Sequence, residues 1–286
     1  MSRYRFRTFA AALFLALGAS HAGAAASSGP ASEAAVAPAA SSASSSAGQT
    51  GSELTVGVRY VPPPFVGGSK VRTPESIDTL LVAEVAGKLQ RKVKFVELDA
   101  GTASMPAGTM DFAVASLPRS QAQPRGDGAV AIATGQVTRP MAIMRTDTDI
   151  KSWRQLQGRT VCLAEDGRYV HRIAELYGAI EQVYRAPADA LLALRTGECD
   201  AAVHDDTLLK ALLRFPEWKK FSASLPPGEA EVQYFLVPAG HDKMAVSLNE
   251  MVARWKSQGH FKKLIADMTR DIAFEVYLDQ TVPDCH

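Results

Sequence analysis

Short β-rich runs alternate with helix-length segments along most of this chain, and that alternation restricts its fold more than any other feature. Leu54-Thr55-Val56-Gly57-Val58 alternates and is rich in β-branched residues, so it reads as a strand. Pro62-Pro63-Pro64 ends it in an extended turn. Asp78 is placed to N-cap a helix over about 79–89, with Leu80, Leu81, Ala83 and Val85 on a partly apolar face. Lys92–Glu97 alternates as the next strand, and after a Gly/Pro-rich link Asp111–Ser116 is a third. Strand, helix, strand in this order is a βαβ unit and therefore predicts a parallel sheet.

A second unit of the same kind follows. Gln157-Gly158 turns into a strand over 160–163, a helix over 169–177 closes on Gly178, and Glu181–Tyr184 is a strand. A helix over 187–195 closes on Gly197, Cys199–Val203 is a buried strand, and Thr207–Leu213 opens another helix. Val232–Val237 is a further strand, and two amphipathic helices follow, over about 244–258 and 261–272. Ligands of open α/β sheets bind outside the carboxyl ends of the strands. His204, Asp205 and Asp206 fall at such an end, so two carboxylates are expected to face a cleft, unless Asp205 or Asp206 serves as a helix cap. Asp166 is a candidate cap for the helix that follows it, and Arg168 a candidate neutraliser or anion ligand.

The first residues read as a signal peptide. Arg3, Arg5 and Arg7 precede the apolar run Phe9–Leu17, and Ala22-Gly23-Ala24 is an A-x-A cleavage site, giving a leader over 1–24. That run is well short of the ~20 residues a membrane span needs. Residues 25–52 are an Ala/Ser-rich tract, expected to be a disordered tether because it cannot bury enough apolar area to offset chain entropy. Export would place the protein in an oxidising compartment, where disulfides form; with three cysteines, at most one intramolecular bridge is possible. The net charge of +1 favours neither nucleic acid nor an anionic membrane. No P-loop, G-x-G-x-x-G, G-x-S-x-G, H-E-x-x-H or zinc spacing occurs, so neither a cofactor nor a metal is implied.

Several pieces, in order, resemble solute-binding proteins of family 3, the periplasmic polar amino-acid type. They are Leu54–Val58 with Pro63-Pro64-Phe65, Ser76-Ile77-Asp78, Leu156-Gln157-Gly158-Arg159-Thr160-Val161, Arg195-Thr196-Gly197-Glu198-Cys199-Asp200-Ala201, and Trp255–Leu264 with Gly259 at its centre. The resemblance implies a two-lobe, type 2 periplasmic-binding-protein-like α/β fold, each lobe a doubly wound, mostly parallel sheet with flanking helices. Lobe 1 would comprise 54–139 plus 236–286 and lobe 2 140–235, with hinge crossings near Pro140-Met141 and near Phe235–Val237. It further implies a periplasmic, monomeric protein that captures a small polar, amino-acid-like ligand and delivers it to an ABC importer or presents it to a sensor. A cyclohexadienyl-dehydratase-like lyase on the same fold is the alternative, and only the site can decide between them.

By the same resemblance, Asp205 takes the ligand's α-ammonium as a charge-assisted bond, with His204 and Ser116 as neighbouring contacts. The family's carboxylate-binding arginine would fall at Gln123; Arg119 is preferred over Arg125 as its substitute, and either could equally be a solvated loop residue. Tyr60 would replace an aromatic displaced by Pro62, with Phe65 in the core. Arg59 stands where relatives with cationic ligands carry an acid. Gly167 keeps the tight turn of the anion seat, Glu165 and Asp166 add negative charge there, and Arg168 is a candidate contact. Cys162 and Cys199 fall on strands this topology makes adjacent, and a bridge between them is favoured over two buried thiols, with Cys285 free unless it replaces one partner.

Overall fold

The structure, a computed structural model, describes residues 53–64, 66–98, 110–118 and 129–281. The expected leader, the tether, Phe65, Arg119, Gln123, Arg125 and Cys285 lie outside the described residues. No helix among the described residues is long and apolar enough to cross a membrane.

The first lobe is built on β1 (Leu54–Val58), α1 (Asp78–Leu89), β2 (Val93–Glu97), β3 (Phe112–Pro118) and β4 (Val130–Thr138). The chain then crosses to the second lobe through β5 (Pro140–Met144), β6 (Thr160–Ala164), α2 (Arg172–Tyr177), β7 (Ile180–Tyr184), α3 (Pro187–Thr196), β8 (Ala201–Asp205), α4 (Asp206–Leu212) and the short β9 (Ala223–Ser224). It returns through β10 (Glu231–Val237) and ends on α5 (Asp242–Gln258) and α6 (His260–Asp279). The two five-stranded sheets have the orders β2-β1-β3-β10-β4 and β7-β6-β8-β5-β9. In each, three strands are parallel, as the alternation predicts, and the strands near the crossings pair antiparallel.

Strand faces explain why the sheets hold. In the second lobe Met141, Ile143 and Ala202 face a core with α3 and α4, while Ala142, Met144, Val161, Leu163 and Val203 face the opposite core with Tyr169 and Ile173. Both faces are covered, so β8 is buried at every position, and Ala201–Val203 read as a continuous apolar run rather than an alternation. The first lobe packs Leu81, Val82 and Val85 of α1 and Trp255 of α5 against Leu54, Val56, Phe112 and Phe235.

α6 belongs to neither core alone. Phe261, Leu264 and Met268 pack into the first core and Ile272, Ala273 and Val276 into the second. These positions repeat every three or four residues and make one stripe along a 20-residue helix. Such a helix spans about 30 Å, enough to strap both lobes.

Several local expectations are corrected. α1 begins one residue early, with Ile77 at the N-cap, and Asp78 caps nothing. α2 begins at Arg172 rather than 169, because His171 sits at φ 68°, outside the helical region. Asp206 is not a cap: its Oδ1 accepts from the Arg139 amide (3.0 Å) and its Oδ2 from Lys210 (2.6 Å), which ties α4 to the first crossing. The second crossing occupies residues 225–230 rather than 235–237, because β10 pairs throughout with β3 and β4 of the first sheet. β4 and β5 were not anticipated as strands. Gly178 and Gly197 do end their helices, in the left-handed conformation at φ 67° and 84°. Cys162 and Cys199 form the expected disulfide, with Cα atoms 5.8 Å apart; Cys199 lies just ahead of β8 rather than on it.

Candidate functional site

The carboxyl end of β8 delivers His204 and Asp205 to the interface between the lobes, where both are buried. Asp205 faces this gap. Its Oδ1 accepts from the Tyr169 hydroxyl at 2.6 Å, and its Oδ2 lies 3.6 Å from Nε of Arg168. Although Asp205 occupies the N-cap position of α4, its side chain makes no cap bond. The expected second cleft carboxylate, Asp206, points instead at the Arg139 crossing.

Arg168 fills the centre. It leaves the turn after β6, and its side chain is 8% exposed. Nη1 donates to Ser116 Oγ on β3, and Nη2 lies 3.8 Å from Oδ1 of Asp78, at the start of α1. Asp78 in turn accepts from Gln233 Nε2 at 2.6 Å. An arginine of one lobe is thus bracketed by an acid of its own lobe and by an acid and a hydroxyl of the other.

Two further carboxylates cross the gap in opposite senses. Asp166, from the second lobe, accepts on Oδ2 from the amides of Glu75 (2.8 Å) and Ser76 (3.1 Å) in the first. Glu75, from the first lobe, accepts on Oε1 from the Asp205 amide (3.0 Å), and its Oε2 lies 2.8 Å from Nδ1 of His204. Gly167 has no side chain because there is no room: a Cβ would lie 2.8 Å from both Glu75 Oε2 and the Ala164 carbonyl. Arg59 donates to the Asp166 carbonyl at 2.5 Å, and Tyr60 donates to Glu165 at 3.3 Å. Farther out, Arg172 pairs with Glu231 (2.5 Å), and Arg72 reaches Asp189 on α3 (2.5 Å) and Asp279 on α6.

Burial controls the ionisation here. It pushes the Asp166 carboxyl up to about 6, the Glu75 charge adding to the rise and the two amide donors opposing it. Oδ1 of Asp166 has no hydrogen-bond partner, which leaves an oxygen for that proton. Asp205 is also pushed up to about 6 by burial, with Arg168 pulling the other way. Burial raises the Tyr169 hydroxyl well above its usual range, and the Asp205 charge adds to it. For Arg59, burial and then the Arg168 charge lower the guanidinium. Arg168 itself is raised, since Asp205 and Asp78 outweigh its desolvation.

Beside this constellation lies a cavity of about 130 Å³, lined from both lobes by Arg59, Tyr60, Pro62, Ser76, Asp78, Asp166 and Arg185, among others. Asp205, Arg168 and Glu75 instead line a far smaller void of about 10 Å³, together with residues of α4 and α6. Of the residues singled out from sequence, Asp205, Arg168, Ser116, Gly167 and His204 converge on the gap, and Arg59 and Tyr60 flank it. Glu75 and Asp78 were missed as site residues. Glu75 follows Pro74 and precedes a helix, and its only local signal is a carboxylate near the end of the long connection from β1 to α1.

No family model matches the chain, and no curated protein does. Similar solved structures include a mutant of ArgBP from T. maritima (20% identity, 76% of this chain and 94% of that one, TM-score 0.49). They also include a substrate binding protein of an amino acid ABC transporter (20%, 76% and 99%, 0.48). A third is an arginine 3rd transport system periplasmic binding protein from Legionella pneumophila (17%, 76% and 99%, 0.44). By its own strand orders and its paired crossings, the chain has the two-lobe, type 2 periplasmic-binding-protein-like α/β fold that its motifs led one to expect.

Proposed function

We propose that the protein is an extracytoplasmic binding protein that captures a small polar, amino-acid-like ligand between its lobes and offers the closed form to the membrane subunits of an ABC importer. The observation that carries this reading is the convergence of buried polar side chains from both lobes on Asp205, beside a two-sided cavity of about 130 Å³. A ligand touching both lobes stabilises the closed state by its differential affinity, and closure is the signal a partner reads. Asp205 is the acceptor for the ligand's ammonium group, in exchange for Arg168, and the displaced Arg168 and Arg59 serve its carboxylate. Ser116, His204 and Gly167 line that exchange, and Tyr60 packs on the ligand's outer side. The names of the similar structures, which speak of arginine and amino-acid transport, are compatible with this ligand class. No observation favours the lyase reading: Asp166 and Glu75 are engaged in holding the lobes together, and the Asp205 carboxylate is paired with Tyr169 and Arg168 of its own lobe.

A thermal-shift screen of amino acids and small carboxylic acids tests it. A ligand at 100 times its Kd stabilises by about 2.7 kcal/mol, which is roughly 5–10 °C for a chain of this size. Asp205→Ala abolishes the shift. If no member of the panel raises Tm, or if Asp205→Ala keeps the full shift, the proposal is wrong.

A further inference from the structure

The site at Asp205 is not open to a free cation in this conformation, because a guanidinium group already fills it. Arg168 reaches out of the second lobe, stays paired with Asp205 of that lobe, and makes its other contacts with Ser116 and Asp78 of the first. Its planar group spreads three nitrogens over three partners, Nη1 donating to Ser116 while Nε and Nη2 lie 3.6 and 3.8 Å from Asp205 and Asp78, a span that one ammonium nitrogen would not cover. A charge this deep stays buried only with its partners in place. Opening the lobes withdraws it from Ser116 and Asp78 and parts Asp166 from the amides of Glu75 and Ser76. The contacts that cross the gap are all intramolecular, so each of them favours closure by itself.

We infer that the interlobe site is a guanidinium-binding site whose resident occupant is the protein's own Arg168, so that the closed state forms without a free ligand and any captured ligand competes with Arg168. The inference rests on the binding reading only in treating this gap as the ligand site. By the arithmetic of competition, a ligand entering here has its affinity multiplied by the fraction of molecules in which Arg168 is already displaced.

The test uses wild-type protein stripped of small molecules by unfolding, dialysis and refolding, and checked by native mass spectrometry. Its radius of gyration, by small-angle X-ray scattering, is expected to equal that of the closed structure. Arg168→Ala is expected to show a larger radius and a lower Tm, both restored by millimolar guanidinium chloride, far below denaturing levels, while wild type does not respond. Arg168→Lys keeps the charge without the fork and should show an intermediate radius; it covers the case in which the alanine variant does not fold. A stripped wild type with open lobes overturns the inference, as does a lysine variant as compact as wild type, or a guanidinium response of equal size in wild type and Arg168→Ala. The two proposals fail separately. A compact stripped protein with no shift on the amino-acid panel rejects capture and keeps Arg168, and an open stripped protein that does shift rejects Arg168 and keeps capture.

Discussion

Glu75→Ala is the sharpest probe of how the lobes are held together. The wild-type carboxylate, with a side chain 2% exposed, accepts the Asp205 amide at 3.0 Å and lies 2.8 Å from His204 Nδ1. Hydrogen bonds to a charged group contribute about 1.5–3 kcal/mol each, so losing both costs about 3 kcal/mol or more if nothing relaxes. Relaxation is available here, because opening the lobes lets water reach His204 and the Asp205 amide. The cost therefore appears in the closing equilibrium, and its effect on global unfolding is capped by the closed-to-open gap. A loss of about 3 kcal/mol moves the closed-to-open ratio by roughly 100-fold or more, at 1.4 kcal/mol per decade. Glu75→Gln keeps an acceptor for the amide and should lose only about 1 kcal/mol. Scattering radius and hydrogen exchange at the Asp205 amide read the effect directly. An alanine variant with wild-type radius and unchanged protection of that amide would refute the reasoning, since it would mean that Glu75 does not hold the second lobe.

Other perturbations have equally definite outcomes. Asp166 binds its proton more tightly in the closed, folded state than in water, so its contribution is greatest below the ordinary carboxylate pKa near 4 and is lost as pH rises through about 6; Asp205, raised to about 6, adds in the same direction. Tm should accordingly be higher at pH 5 than at pH 7.5, and Asp166→Asn, whose amide oxygen still accepts from Glu75 and Ser76, should flatten that slope; a steeper slope in the variant contradicts the assignment. Gly167→Ala places a methyl 2.8 Å from Glu75 Oε2 of the opposing lobe, an overpacking worth about 1–3 kcal/mol, and scattering should report a more open molecule with its fold intact by circular dichroism. Replacing Cys162 and Cys199 by alanine removes a link across 37 residues of sequence and should lower stability in urea by about 2–4 kcal/mol. Ile272→Ala empties a fully buried position where α6 meets the second core and should cost about 2–5 kcal/mol, measured by the same titration.

Local physics made much of the scaffold readable from the chain. The run Leu54–Val58 and the βαβ order around it required a parallel sheet, and Gly178 and Gly197 marked helix ends because only a residue without Cβ takes a left-handed turn freely. β4 and β5 escaped notice. β4 alternates Val130, Ile132 and Thr134 with Ala131, Ala133 and Gly135, a strand pattern that was there to be read, whereas β5 opens on a proline and owes its strand state to its antiparallel partners β8 and β9. The site divides in the same way. Asp205 could be placed because a polar step after a buried strand of an α/β sheet lands at the cleft. Asp78, Asp166 and Asp206 all looked like helix caps, since sequence shows only the neighbours along the chain. Their long-range partners are Arg168 and Gln233, the amides of Glu75 and Ser76, and the Arg139 amide. Those partners lie 67 to 155 residues away. Sequence determined which segments become strands and helices and which end of β8 carries the acid. Only the tertiary structure decided what that acid meets, because burial forces each carboxylate and Arg168 to find a partner, and the nearest one is set by how two separately built sheets come together.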